Sequence, residues 1–216
     1  MRGSDPSRAR VLPTVNRRGL FMIRVLLQYF CFALMTGLMM AAGPAAAKDN
    51  VLHKAAATQE IEYLRRLYAV ATDQLGINTE TSIAEGMATY RRIFTPDVRV
   101  RVTGEGTDPL NATGPDAWAK IANEALADYT ATQHLIGTQL VEIHSIEFDA
   151  AGNVVSGDAS MSSYLQAWHA GTDDDLWLFI GTYYDKVRYT PGVGWQIYDM
   201  ELMRVSGENR SLGVSR

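Results

Sequence analysis

The chain has 216 residues, with 20 basic and 24 acidic side chains, four histidines and one cysteine, for a formal net charge of −4. Apart from an N-terminal leader, residues 48–216 carry 14 basic and 23 acidic side chains, a net charge near −9. That balance disfavours nucleic-acid binding, which needs a basic face to displace counterions, and 169 residues suit one domain with one core.

Residues 1–47 read as a secretory signal. Arg17, Arg18 and Arg24 precede an apolar run from Val25 to Ala42, and Ala45-Ala46-Ala47 follows, so cleavage is expected before Lys48. Met22 is an alternative start that leaves the plainer leader MIRVLLQYFCFALM, whereas NRRGLFM loosely resembles a twin-arginine export signal. The run is also long enough for a retained anchor, but small residues flank it rather than a basic stop-transfer cluster. The expectation is an exported, periplasmic domain without a membrane anchor after processing. Cys31 lies inside the leader, so neither a disulfide nor thiol chemistry is expected beyond it.

From Thr58 to Leu75, Ile61, Leu64, Tyr68, Ala71 and Leu75 recur at intervals of three and four, which predicts an amphipathic helix stopped by Gly76. A second helix is expected over Ser82 to Ile93, with Ile83, Met87 and Tyr90 on one side and Pro96 just beyond its end. The period then changes. VRVRV, Val98 to Val102, alternates as a strand with its arginines outward, and a polar loop follows. Pro115 and Asp116 open a third helix with Trp118, Ile121, Ala122 and Leu126 as its buried stripe, expected to end near Tyr129. Four long strands come next: Gln133 to Phe148, Val154 to Trp168, Leu176 to Tyr189 and Trp195 to Val205. Gly- and Asp-containing turns separate them, which predicts antiparallel hairpins. Helices first and a strand meander afterwards is an α+β pattern, with a loose polar tail over residues 207–216.

TQHLIGTQLVEI, Thr132 to Ile143, leaves the orientation of its histidine undecided. His134, Ile136, Thr138 and Leu140 share one face of a strand, but Leu135 and Val141 occupy the other. A lone histidine on such a strand is more often packing than chemistry.

The element order, carried by EIEYLRRLYAVATDQLG, YRRIFTPDVRVRV, TQHLIGTQLVEI and GTYYDKVRY…GWQIYDMEL, resembles the nuclear-transport-factor-2-like (NTF2-like) superfamily. Its SnoaL-like branch is the nearest likeness, including lyases of the bile-acid dehydratase, scytalone dehydratase and hexachlorocyclohexane dehydrochlorinase type. The resemblance spans roughly residues 55 to 206. It implies a cone in which a curved, mostly antiparallel sheet wraps three N-terminal helices and encloses a pocket. It also implies an aspartate near the end of the first helix paired with a histidine at the start of the histidine strand, and a tyrosine five residues before the aspartate. Asp73, His134 and Tyr68 match those positions. Extra length in INTETSIAEG and TGEGTDPLNATG is placed to reshape the pocket mouth.

A neutral imidazole is a suitable base near pH 7, and a carboxylate on its other nitrogen fixes the tautomer and stabilises the imidazolium. His134 is accordingly expected as base, Asp73 as its partner and Tyr68 as hydrogen-bond donor. The reading is a cofactor-independent lyase that dehydrates, or cleaves a C–C bond beside a hydroxyl, in a small hydrophobic aromatic or polycyclic compound. A ketosteroid-isomerase-like isomerase and a non-catalytic binding module are the alternatives.

Trp118, Tyr164, Trp177, Phe179, Tyr183 and Tyr198 are candidate substrate contacts, Trp177, Phe179 and Tyr183 sharing one strand face and Tyr184 and Arg188 the other. His53, His144 and His169 are expected to lie outside the site, His169 at a turn. No metal motif is present, Asp173 to Asp175 reads as a solvated hairpin tip, and no metal or cofactor is expected. The superfamily resemblance implies a homodimer or higher homo-oligomer.

Overall fold

The computed structural model describes residues 44–172 and 175–211; the leader up to residue 43, Asp173, Asp174 and residues 212–216 lie outside the described residues. The unit that carries the site begins at Val51. The described residues form three helices, α1 (Pro44–Ile77), α2 (Glu80–Ile93) and α3 (Pro115–Leu126). They also form six strands: β1 (Phe94–Gly104), β2 (Leu110–Thr113), β3 (Ala131–Phe148), β4 (Val154–Ala170), β5 (Asp175–Thr190) and β6 (Gly194–Ser211). One sheet has the order β2-β1-β6-β5-β4-β3, antiparallel except for the β1–β6 pair. The helices pack on one face of this curved, unclosed sheet, the α+β arrangement expected of the NTF2-like fold.

The predicted stripe of α1 is buried: Ile61, Leu64, Tyr68, Ala71 and Leu75 are all at most 8% exposed. Their burial is worth roughly 1.5–3 kcal/mol for a large aliphatic side chain. The end of α1 differs from the sequence expectation. Gly76 is helical, and Asn78 makes the left-handed turn at φ 58°. Asn tolerates that region better than most side chains. Gly76 serves a different purpose, because a Cβ there would sit 2.7 Å from Oγ1 of Thr132 on β3. Its bare backbone lets the start of β3 lie against the last turn of α1. Helix α2 starts with a reciprocal cap: the Ser82 backbone N–H donates to Thr79 Oγ1 at 3.2 Å, and the Thr79 N–H to Ser82 Oγ at 3.0 Å.

Three further boundaries move. Helix α3 closes at Leu126, short of Tyr129, and the polar loop after β1 contains the short strand β2. Residues 207–211, expected to be loose, extend β6 and pair with residues 175–179 of β5. Backbone pairing does not depend on side-chain polarity, so a polar segment extends a ladder as readily as an apolar one.

The two-sided pattern of β3 has a local cause. Ladder register shifts between Gly137 and Gln139, where Thr138 adopts φ 29°. This bulge inserts one residue and reverses the side-chain parity. Ile136 before it, and Val141 and Ile143 after it, therefore all pack against the same core.

Candidate active site

Asp73 lies four residues before the end of α1, close to the helix terminus whose dipole disfavours a negative charge. Three donors hold it there. Thr132 Oγ1 donates to Oδ1 at 3.0 Å, the His134 backbone N–H to Oδ2 at 3.2 Å, and His134 Nδ1 to Oδ1 at 2.7 Å. The close approach at Gly76 makes these contacts possible. Because a carboxylate only accepts, Nδ1 of His134 carries a proton, and in the neutral ring the lone pair is then on Nε2. The imidazole is 7% exposed and Asp73 28%, so the carboxylate stands at the rim and the ring inside.

His134 forms part of the wall of a cavity of about 210 Å³ between the helices and the sheet. Its lining is mainly apolar, with Trp118, Leu165, Trp177 and Phe179 among its walls, and among the described residues no Lys, Arg, Asp or Glu side chain takes part. Tyr68 and Tyr183 also face it. The Trp118 indole N–H donates to the Tyr68 hydroxyl oxygen at 3.1 Å. Indole is donor only, so the Tyr68 proton remains available to another acceptor. The Tyr68 ring is further held by stacking on Tyr90, at 5.2 Å between centroids and 4° between planes.

His169 was expected in a turn outside the site. It lies instead near the end of β4, 2% exposed, lining the same cavity with its ring centroid 5.8 Å from that of His134. Its Nδ1 donates to the Trp177 carbonyl at 3.2 Å, and Trp177 and Tyr129 enclose the ring. Burial first, and then the His134 imidazole, push His169 down to about 4, so it is neutral at pH 7. Parity with Leu165 and Ala167 on β4 was the signal in the sequence; placing the strand end at Trp168 hid it.

Of the other candidate contacts, Trp118, Trp177, Phe179 and Tyr183 line the cavity. Tyr164 and Tyr198 do not. Tyr164 is 58% exposed because it alternates with the buried Ser163 and Leu165. Tyr198 lies on the outer sheet face, where it donates to Asp158 at 3.3 Å and packs under Arg188. His53 packs on Phe148, and His144 is 44% exposed beside Glu142, both away from the cavity. Among the described residues no three His, Cys, Asp or Glu side chains converge as metal ligands.

A larger hollow, about 470 Å³, lies on the outer sheet face among Arg101, Lys186, Asp199 and Glu201. Several of these charges are already tied up: Asp199 binds both Arg99 and Arg101. It holds no imidazole, so the smaller inner cavity is where proton-transfer groups meet an apolar space.

An NTF2-like fold with a histidine–aspartate pair beside a mainly apolar cavity defines the general class. Residues 82–201 match the family model of the SnoaL-like domain, and the chain belongs to that family. Among solved structures, a candidate scytalone dehydratase of Novosphingobium aromaticivorans is 19% identical. That match covers 79% of this chain and 99% of the other, with a TM-score of 0.53. A hexachlorocyclohexane dehydrochlorinase is 17% identical over 79% of this chain and 96% of its own, with a TM-score of 0.51. A candidate aromatic ring hydroxylase of N. aromaticivorans is 20% identical over 71% and 92%, with a TM-score of 0.52. At these identities the likeness establishes the fold. No curated protein matches the chain significantly.

Proposed function

We propose that the protein is an exported, cofactor-independent lyase that removes water, or another small leaving group, from an uncharged cyclic compound. The observation that carries this reading is the His134 Nδ1 to Asp73 Oδ1 contact at 2.7 Å, on a ring that faces an apolar cavity. His134 Nε2 takes a proton from carbon while Asp73 stabilises the resulting imidazolium. The C–H electrons form the new double bond as the neighbouring C–O bond breaks. Tyr68 donates to the departing oxygen, and the proton collected by His134 leaves with it as water. His169, neutral, offers a second imidazole to a substrate hydroxyl.

Cavity size and lining narrow the substrate. A volume of about 210 Å³ is below the usual ~300–1,000 Å³ of drug-sized sites, which favours one or two rings over a tetracyclic skeleton. Walls without a cationic side chain favour an uncharged molecule. The dehydratase and dehydrochlorinase among the structural neighbours support the elimination class. Export by the leader and assembly into a homodimer or larger homo-oligomer complete the reading.

A panel of uncharged one- and two-ring alcohols and halides, assayed by mass spectrometry for loss of water or hydrogen halide, tests it. Turnover by the wild type and none by His134→Ala is the expected result. A product of unchanged mass would make the protein an isomerase, and binding without turnover a carrier.

A further inference from the structure

Arg65 is fully buried, one turn before Tyr68 on the same face of α1. Its guanidinium pairs with Asp185 of β5, with Nε donating to Oδ2 at 3.2 Å and a second nitrogen bonded to Oδ1, and the remaining nitrogen contacts Met200 Sδ at 3.4 Å. Asp185 follows Tyr183 by two residues, so both point inward from β5. The guanidinium carbon is 3.8 Å from the centre of the Tyr183 ring and 4.5 Å from that of Tyr68. One buried cation thus contacts the rings of both tyrosines that face the cavity.

Stability gives a poor account of this arrangement. A buried ion pair loses two hydration shells, and well-packed apolar side chains of similar volume are commonly as stabilising or more so. Its chemical effect is specific. A cation on the ring of a phenol is attracted to the π electrons and favours negative charge building on the oxygen. The two bonds that the guanidinium donates to Asp185 fix its plane, so the charge is preorganised rather than recruited from solvent. Trp118 already satisfies the Tyr68 oxygen as an acceptor, which leaves the Tyr68 proton as the group that gains.

We propose that the Arg65–Asp185 pair is a positioning device that makes Tyr68 a stronger hydrogen-bond donor toward an oxygen bound in the cavity. The proposal rests on the reading of Tyr68 as the donor in the lyase. Arg65 touches no substrate and acts through the tyrosine ring.

Two probes of nearly equal shape separate the possibilities: 1-tetralone, with a carbonyl oxygen, and tetralin, without one. Their dissociation constants are to be measured by calorimetry for the wild type, Tyr68→Phe, the paired replacement Arg65→Met with Asp185→Leu, and all three changes together. The wild type is expected to prefer the ketone. The paired replacement should reduce that preference about tenfold, with tetralin affinity unchanged, and should have no further effect once Tyr68 is Phe. A purely structural role would weaken both probes alike. A preference lost in Tyr68→Phe but intact in the paired replacement overturns this proposal and leaves the donor reading standing. No preference in the wild type, or binding of neither probe, overturns the donor reading and the proposal together. If the paired replacement does not fold, Asp185→Asn decides. That change loosens the two-point hold on the guanidinium and should lower the ketone preference with tetralin affinity unchanged; an undiminished preference overturns the proposal.

Discussion

Asp73 approaches the C-terminal end of a helix, which does not favour a carboxylate, and is held there by three donors. The consequence is a defined tautomer of His134. Asp73→Asn should therefore cost roughly 10²–10⁴-fold in kcat with little change in KM, measured with whichever panel compound is turned over. His169 gives a separate prediction. Its imidazole is held near 4 when folded, against about 6.5 when exposed. Between those values the unfolded chain binds the extra proton. Stability is then fully present above pH 6.5 and falls as the pH drops toward 4, by up to about 3 kcal/mol. Urea unfolding across this range should show the loss in the wild type and a flatter profile in His169→Phe. Tyr68, Asp73 and His134 were legible through the resemblance of their sequence contexts to the SnoaL-like branch, with the five-residue interval from Tyr68 to Asp73 as its local mark. His169 and Arg65 were not: the first depended on where β4 ends, and the second is an arginine on a helix, which burial alone distinguishes from a solvated one.

At the scale of elements, two glycines in the helical layer determine how closely its parts approach. Gly76 admits Thr132, as described above, and Gly86 of α2 admits α1. A Cβ at Gly86 would stand 2.9 Å from the Ala71 carbonyl oxygen and 2.9 Å from a Leu75 side-chain carbon. Backbone cannot move aside as a side chain can. Gly86→Val should cost about 1–3 kcal/mol, seen as a lower thermal midpoint. Helix periodicity and strand alternation gave these elements in the correct order, since burial imposes both periods. What the periods missed came from non-local geometry. A glycine reads as a helix stop unless the neighbouring strand is known, and the bulge at Thr138 leaves β3 apolar on both faces of the naive register.

Considered whole, the domain buries its aromatic residues unevenly. Trp118, Phe179 and Tyr183 are inside, whereas Leu135, Leu140, Tyr164 and Tyr184 stand 46–66% exposed on strands β3 to β5. These side chains share the outer sheet face, opposite the helices. Exposed apolar side chains interspersed with the charges of the outer hollow suit self-association, so sedimentation of residues 48–216 should show at least a dimer, reduced to a monomer by Leu140→Arg combined with Tyr164→Glu. The proposed chemistry belongs to the inner face, where His134 would remove a proton from carbon. The most direct measurement is NMR of 1-tetralone in deuterated buffer near neutral pH, following loss of its C2 hydrogens with wild-type protein and with His134→Gln. Exchange well above the buffer rate in the wild type, falling to the buffer rate in a variant that unfolds at the same temperature, is the predicted result. Equal exchange by both proteins, or none above buffer by the wild type, would contradict it.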